Sequence, residues 1–120
     1  MLSGIDHVQL AAPPGCEDDA RRFFGELLGL RELPKPEALR ARGGVWFACG
    51  AQQLHVGVEE EFVPARKAHP AFQVEEYDAL QERLRAAGAD VADDTAIPGL
   101  RRCYVHDPFG NRIELVATGP

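Results

Sequence analysis

Hydrophobic residues in this chain follow two periodicities, and the switches between them predict the order of its elements. In residues 5–12, apolar side chains occupy every second position, which is typical of a strand with one buried face. Residues 17–28 instead carry apolar side chains three and four positions apart, which predicts a helix capped by Gly29. The apolar residues of this helix are Ala20, Phe23, Phe24, Leu27 and Leu28.

Three further strands are predicted in the first half of the chain, at 30–33, 45–49 and 53–58. The last two flank Gly50-Ala51-Gln52, which is typical of a hairpin turn because its glycine accepts a backbone conformation that other residues avoid. Residues 34–44 contain two prolines and two glycines and are predicted to form a loop. The first half therefore has the order strand, helix and three strands.

The second half repeats this order. It is predicted to begin with a strand at 69–74, which is followed by a helix from Tyr77 to Ala87 that ends at Gly88. The remaining predicted strands are 89–92, 100–106 and 112–117. The segment 59–68 is polar and contains a proline, and it is predicted to connect the two halves.

Halves of this size are small for two separate cores, so one domain is expected over 1–120. It would consist of two βαβββ modules, at about 1–58 and 69–120. Hydrophobic residues make up 45% and charged residues 27% of the chain, which is typical of a soluble globular protein. The excess of 19 acidic over 13 basic residues, a net charge of −6, argues against nucleic acid or an anionic membrane as a partner.

Targeting and cysteine signals favour the cytoplasm. The first residues lack the basic segment of a secretory signal, and no apolar run is long enough for a transmembrane helix. The three cysteines are odd in number and form no CxxC pair, which argues against a disulfide framework or a thiolate zinc site.

Four potential metal ligands lie at equivalent strand positions of the two halves. They are His7 and His55 in the first half and His69 and Glu114 in the second. Each lies on the polar face of its strand, opposite the apolar face that packs on helices. Imidazole and carboxylate suit a divalent ion such as Zn, Ni, Fe, Mn or Co. Taken singly, each residue has the simpler interpretation of a surface or hydrogen-bonded side chain.

Three further residues are candidates for contact with a substrate. If the sheet curves, the polar faces of its strands line a cavity. Arg102 and Tyr104 have the parity opposite to that of Cys103 and Val105 and are candidates to face this cavity, although an exposed strand face explains them equally well. Trp46 is interpreted either as a wall of the same cavity or as a core residue. No nucleophile elbow and no phosphate-binding glycine loop is present, so acyl transfer and nucleotide chemistry lack support.

Six segments together resemble the vicinal oxygen chelate superfamily, which includes glyoxalase I, bleomycin-resistance proteins, fosfomycin-resistance thiol transferases and extradiol dioxygenases. The segments are IDHVQL, LLGL, GAQQLHVGV, HPAFQV, AAGADV and, as the most specific of them, DPFGNRIELV. The resemblance implies an α+β fold. Two βαβββ modules would form a cupped, mostly antiparallel eight-stranded sheet with helices on its outer face.

The resemblance also implies a site. His7, His69 and Glu114 match the metal triad of the dioxygenase and fosfomycin-resistance branches. His55 falls where glyoxalase I carries a fourth ligand, Glu or Gln, so a carboxylate is exchanged for an imidazole there. Glu114 is the remaining candidate for a general base. Such sites often lie between two chains of a homodimer, and a homodimer is expected.

The implied activity is that of a metal-dependent enzyme of the lyase or isomerase type. It would act on a small substrate whose two neighbouring oxygens bind a divalent ion. Two alternatives remain open at this point: a metal-free, drug-sequestering module of the bleomycin-resistance type, and an Fe(II) extradiol dioxygenase.

Overall fold

A computed structural model describes residues 1–119 and divides the chain into two compact units. The first unit is Met1–Pro64 and the second begins at Ala65, so the division falls within the segment 59–68. Each unit contains one four-stranded mixed sheet and few helical residues. The α+β fold predicted from the sequence is thus confirmed. None of the helices within residues 1–119 has the length and hydrophobicity that a bilayer crossing requires.

The first unit has its strands in the order β1-β4-β3-β2. Strand β1 pairs with β4 in parallel, and the other two pairs are antiparallel. The strands are β1 (His7–Ala12), β2 (Arg31–Leu33), β3 (Val45–Cys49) and β4 (Gln52–Val58), with helices α1 (Glu17–Ala20) and α2 (Glu37–Arg40). Fully buried side chains on one face of this sheet include Phe47, Leu54 and Val56, and they form a core with Phe24.

Two predictions for this unit need correction. The predicted helix 17–28 is α-helical only at its start and continues as a π-helix over Arg21–Leu27, where Leu28 N–H bonds to Phe23 O at 2.9 Å. The predicted loop 34–44 contains helix α2. Its sequence explains this turn of helix, because Pro36 precedes good helix formers and Glu37 lies at the positive end of the helix dipole.

The second unit has the strand order β5-β8-β7-β6, with β5 and β8 parallel and the other pairs antiparallel. Its elements are β5 (Ala71–Val74), α3 (Tyr77–Ala86), β6 (Ala92–Asp94), β7 (Arg102–His106) and β8 (Arg112–Ala117). The strand predicted at 89–92 lies later, because Ala89 N–H still bonds to Leu84 O and closes the end of α3. The core of this unit includes Leu84, Ile113 and Leu115.

A tight turn joins β7 to β8 and is organised by one buried carboxylate. Oδ1 of Asp107 accepts hydrogen bonds from the backbone N–H groups of Phe109 (2.9 Å) and Asn111 (2.8 Å). Its Oδ2 accepts a third, from the Asn111 side-chain amide, at 2.8 Å. Burial nevertheless raises the pKa of Asp107 above its ordinary value of 3.8, although these hydrogen bonds oppose the shift. The turn thus fixes the register of β7 and β8, in which Tyr104 is paired with Glu114.

This raised pKa predicts a specific pH dependence of stability. The folded chain binds the Asp107 proton more tightly than the unfolded chain does, so the favourable contribution is complete below pH 3.8. It is lost as the pH rises through the folded-state pKa. We expect the free energy of unfolding of the wild type, minus that of Asp107→Asn, to fall over this range and then level off. Urea denaturation at a series of pH values measures the difference, and a difference that rises with pH would contradict the assignment.

Candidate metal centre

The predicted site residues form two groups, one in each unit. All except His69 lie on strands, on the sheet faces that do not carry the core; the strand predicted at 69–74 begins only at Ala71, so His69 lies two residues before it. In the first unit, His55 of β4 is paired in register with Trp46 of β3 on one side and with Gln9 of β1 on the other. The His7 ring lies diagonally across the parallel pair of strands. Neighbouring residues on one face of a sheet are close enough for ring contacts.

Three rings of the first unit form a continuous stack. The Trp46 and His55 ring centroids are 3.8 Å apart with planes 2° apart, and the His55 and His7 centroids are 4.2 Å apart with planes 17° apart. His55 is therefore buried between two rings, with 5% of its surface exposed. Burial lowers the pKa of His55, and the neighbouring His7 lowers it further, which keeps this imidazole neutral.

Hydrogen bonds occupy one nitrogen of each imidazole in this stack. His7 Nδ1 lies 2.9 Å from the Asp6 carboxylate, and His55 Nε2 lies 2.8 Å from the side-chain oxygen of Gln53. Because a carboxylate only accepts hydrogen bonds, Asp6 places a proton on His7 Nδ1, and Nε2 is the nitrogen left to bind a metal ion. A carboxylate on the second nitrogen is the usual arrangement behind a metal-binding histidine.

The stacking itself limits which histidine of the first unit binds an ion. An imidazole lone pair lies in the plane of its ring, and two nearly parallel, stacked planes do not meet close to the rings. His7 and His55 therefore cannot both direct a lone pair at one ion in this arrangement. Gly57 lets the Gln9 side chain pack directly against β4, because a Cβ there would lie 2.6 Å from Gln9 Nε2.

In the second unit, the predicted ligands His69 and Glu114 are in direct contact although 45 positions separate them along the chain. His69 Nε2 lies 2.9 Å from Glu114 Oε1, and His69 Nδ1 lies 2.8 Å from the backbone oxygen of Lys67. The parallel register of β5 and β8 produces this contact, since Ala71 is paired with Glu114.

The two contacts of His69 require a cation. The Lys67 carbonyl can only accept a hydrogen bond, so it takes the Nδ1 proton of a neutral imidazole. Nε2 then either carries a second proton, which it donates to Glu114 Oε1, or directs a lone pair toward a metal ion that Glu114 also binds. Two ligands at right angles and about 2.1 Å from one ion are about 3 Å apart, which matches the observed 2.9 Å.

Glu114 is held on its other side by Arg102. Oε2 accepts a hydrogen bond from Arg102 Nη1 at 3.2 Å, and the Glu114 side chain is 11% exposed. Burial alone would raise the pKa of Glu114, but hydrogen bonds from His69 and Arg102 outweigh it and leave the pKa below its ordinary value. The carboxylate is therefore ionised at neutral pH, as a metal ligand must be.

Arg102 and Tyr104 lie on the face of Glu114, while Cys103 and Val105 are fully buried, as the alternation predicted. Arg102 also donates to Asp94 (3.0 Å) and to the Tyr104 hydroxyl (3.2 Å). That these two residues and Trp46 bind substrate stays a prediction.

Sequence reasoning missed the partners of these residues, namely Asp6, Asp94 and the Lys67 carbonyl. The position of Asp6 next to His7 in the sequence was a signal for this contact. The contacts of Asp94 and of the Lys67 carbonyl depend on how the chain folds.

The donor chemistry of both groups fits a divalent ion, and the second unit presents two donor atoms at the required spacing. Within residues 1–119, no group of three or more His, Cys, Asp or Glu side chains is placed to hold a metal ion. The convergence of all four predicted ligands on one ion therefore stays a prediction.

Comparison with known proteins identifies the family of this chain. The model of one protein family, described as a glyoxalase-like domain, matches residues 16–116. The chain belongs to this family. The assignment to the vicinal oxygen chelate superfamily is thereby confirmed.

Three relatives of this glyoxalase-like protein show the range of the similarity. A solved structure assigned to the glyoxalase family, from Bacillus anthracis, is 54% identical with a TM-score of 0.94, covering 99% of this chain and 98% of that one. Glyoxylase I 4 of Arabidopsis thaliana is 26% identical over 124 residues, which are 95% of this chain and 70% of the relative. A variant of the fosfomycin resistance protein FosX from Listeria monocytogenes, solved with Mn(II) and 1S,2S-dihydroxypropylphosphonic acid, is 21% identical with a TM-score of 0.81, covering 99% and 95%. This last likeness shows the fold alone.

Proposed function

We propose that this protein is a metal-dependent enzyme of the glyoxalase type, a lyase or isomerase that acts on a small substrate with two neighbouring oxygen atoms. The observation that carries the proposal is that His69 Nε2 and Glu114 Oε1 lie 2.9 Å apart, a spacing that suits two neighbouring ligands of one ion, while His69 Nδ1 contacts the Lys67 carbonyl. Support comes from the family and from the FosX variant, whose bound compound has adjacent hydroxyl groups.

We further propose that His69, Glu114 and His7 are the metal ligands. Asp6 and the Lys67 carbonyl each hold a proton on Nδ1 of their histidine, which directs Nε2 outward as the donor. His55 is the stacking partner of His7 in this proposal and not a fourth ligand. Zn, Ni, Fe, Mn and Co all suit these donors, and FosX was solved with Mn(II).

The bound ion would act as a Lewis acid toward the substrate oxygens. The chain supplies the remaining functions. Glu114 is the carboxylate proposed to accept a proton from the substrate when it is not bound to the ion, while Oε2 stays hydrogen-bonded to Arg102. Its lowered pKa makes it a weak base, so it serves a substrate whose acidity is already increased. Tyr104, Arg102 and Trp46 are the proposed substrate contacts, and the protein is proposed to be a cytoplasmic homodimer.

A metal-free binding module of the bleomycin-resistance type is the second candidate function. One observation favours it: Arg102 and an His69 protonated at both nitrogens can satisfy Glu114 without any metal ion. An extradiol dioxygenase would use the same His and Glu donors for Fe(II), and oxygen uptake with a catechol is its test.

Metal content and thermal stability decide between the two candidates. We expect the purified protein to retain about one divalent ion per chain. Chelation should lower the Tm, and adding the ion back should restore it, because a ligand that binds only the folded state stabilises it. Elemental analysis and thermal denaturation with each of the five ions measure this.

The same measurements can contradict the proposal. A chelated protein whose Tm responds to none of these ions, but rises with bleomycin, would establish the binding module instead. A Tm that responds to neither the ions nor the drug would also reject the metal-dependent enzyme.

A further inference from the structure

We propose that Arg102, itself anchored by Asp94, is a positioning residue that holds Glu114 so that only Oε1 is offered to a metal ion. This inference rests on the proposed function, because it assigns a role relative to the metal ion. Its basis is the arrangement of four side chains in the second unit.

The contacts form one chain of charge-assisted hydrogen bonds. Asp94 accepts from Arg102 Nη2 at 3.0 Å, and Glu114 Oε2 accepts from Arg102 Nη1 at 3.2 Å. On the other oxygen of Glu114, His69 Nε2 approaches to 2.9 Å. The carboxylate thus has one oxygen committed to a guanidinium and one directed to the donor that would share the ion. Its rotation would break both contacts.

Neighbouring strands set this geometry. Arg102 lies on β7 and Asp94 on β6, and the two are directly paired in the antiparallel register. Tyr104 is paired with Glu114 on β8, so Arg102 reaches Glu114 diagonally and passes the Tyr104 hydroxyl at 3.2 Å. Three acceptors in three directions match the planar fork of a guanidinium, whereas a lysine ammonium on a flexible stem would not hold them in a fixed arrangement.

Burial shows that the guanidinium is held in place. The Arg102 side chain is 14% exposed, and its Nε is buried and has no hydrogen-bond acceptor among residues 1–119. An unsatisfied buried donor costs free energy, which the bonds at the other two nitrogens must offset. A residue that only awaited a substrate in solvent would not carry this cost.

A variant of unchanged net charge can distinguish two effects of Arg102: its effect on the orientation of Glu114 and its effect on the electrostatic attraction of a cation. Arg102 and Asp94 carry opposite charges 3.0 Å apart, so together they contribute almost no net charge near Glu114. Removing Arg102 alone would leave two carboxylates and increase the attraction for any cation. Removing both Arg102 and Asp94 keeps the net charge constant, so that only the orientation of the Glu114 carboxylate changes.

The test therefore uses a charge-conserving double variant, Arg102→Gln with Asp94→Asn. The matched control is Arg101→Gln with Asp78→Asn, which removes the exposed ion pair of the adjacent residue and makes no contact with Glu114. Co(II) is the probe, because its visible absorption reports the number of ligands as well as occupancy. Calorimetry gives the affinity, and circular dichroism confirms folding.

We expect Co(II) affinity to fall about 10- to 100-fold in the Arg102/Asp94 variant and to be unchanged in the control. The absorption should also weaken, because a Glu114 released at Oε2 binds through both oxygens and raises the coordination number. Arg102→Lys should fail to restore the wild-type spectrum. If the double variant does not fold, Asp94→Asn alone, which frees the guanidinium to rotate, should show the same spectral change.

Other outcomes overturn one claim or the other. A wild-type protein that binds no Co(II) rejects the proposed function and this inference with it. A wild type that binds Co(II), together with an Arg102/Asp94 variant of equal affinity or unchanged spectrum, rejects the positioning role alone.

Discussion

Replacing His69 with Ala, or Glu114 with Gln, is expected to abolish tight binding of a divalent ion. Changes behind a ligand already cost about 10- to 100-fold in metal affinity, so loss of a ligand should cost about 100-fold or more. The matched control is His106→Ala, because His106 is an exposed residue on β7 outside the proposed ligand set. Calorimetric titration of the chelated proteins with Co(II) measures the three affinities.

One more variant separates a ligand from a stacking partner. His55→Phe keeps an aromatic ring between His7 and Trp46 but removes both nitrogens. If His55 only orients the His7 ring, Co(II) affinity should stay within a few-fold of the wild type. A loss as large as that of His69→Ala would show that His55 is a fourth ligand, and equal affinity in His69→Ala and His106→Ala would refute the proposed donor pair.

Gly44→Ala is expected to destabilise the first unit by about 3 kcal/mol or more. Gly44 has a φ of +90°, and an added Cβ would lie 2.2 Å from the carbonyl oxygen of Val56. That carbonyl cannot move away easily, because Val56 is paired with Leu10 on one side and Val45 on the other. The Gly44 N–H also donates to Glu17 Oε2 at 2.7 Å, so displacement would break a partly buried hydrogen bond.

Urea denaturation measures this effect, with Gly50→Ala as the control. Gly50 also has a positive φ, of 57°, but nothing lies within 4 Å of an added Cβ. Its substitution should therefore cost only the backbone strain, about 1 kcal/mol. Equal losses in the two variants would show that strain alone, and not the contact with Val56, limits this position.

Local pattern was sufficient for most of the fold. The alternation in β4 and β8 predicted which residues face the core, and burial of Leu54, Val56 and Ile113 confirms it. Short elements were predicted less well. Helix α2 has four residues and β6 has three, so neither is long enough for its pattern to repeat.

Residue type and strand parity likewise identified His69 and Glu114 as candidates on one polar face. They did not reveal that Arg102 occupies the second oxygen of Glu114, nor that His55 is enclosed between two rings. Both features arise where neighbouring strands bring distant residues side by side. A sequence pattern gives the face of a residue but not its partner on the next strand.

By itself the sequence determined the α+β order of elements, the buried face of each strand and the types of donor available to a metal ion, because each follows from residues near one another in the chain. Only the tertiary structure decided which donor atoms face each other. The register between strands far apart in sequence determines three features: the distance between His69 and Glu114, the hydrogen bond from Arg102 to that carboxylate, and the ring stack around His55. Packing of the whole unit sets that register, since a shift by one residue would move every core side chain to the opposite face.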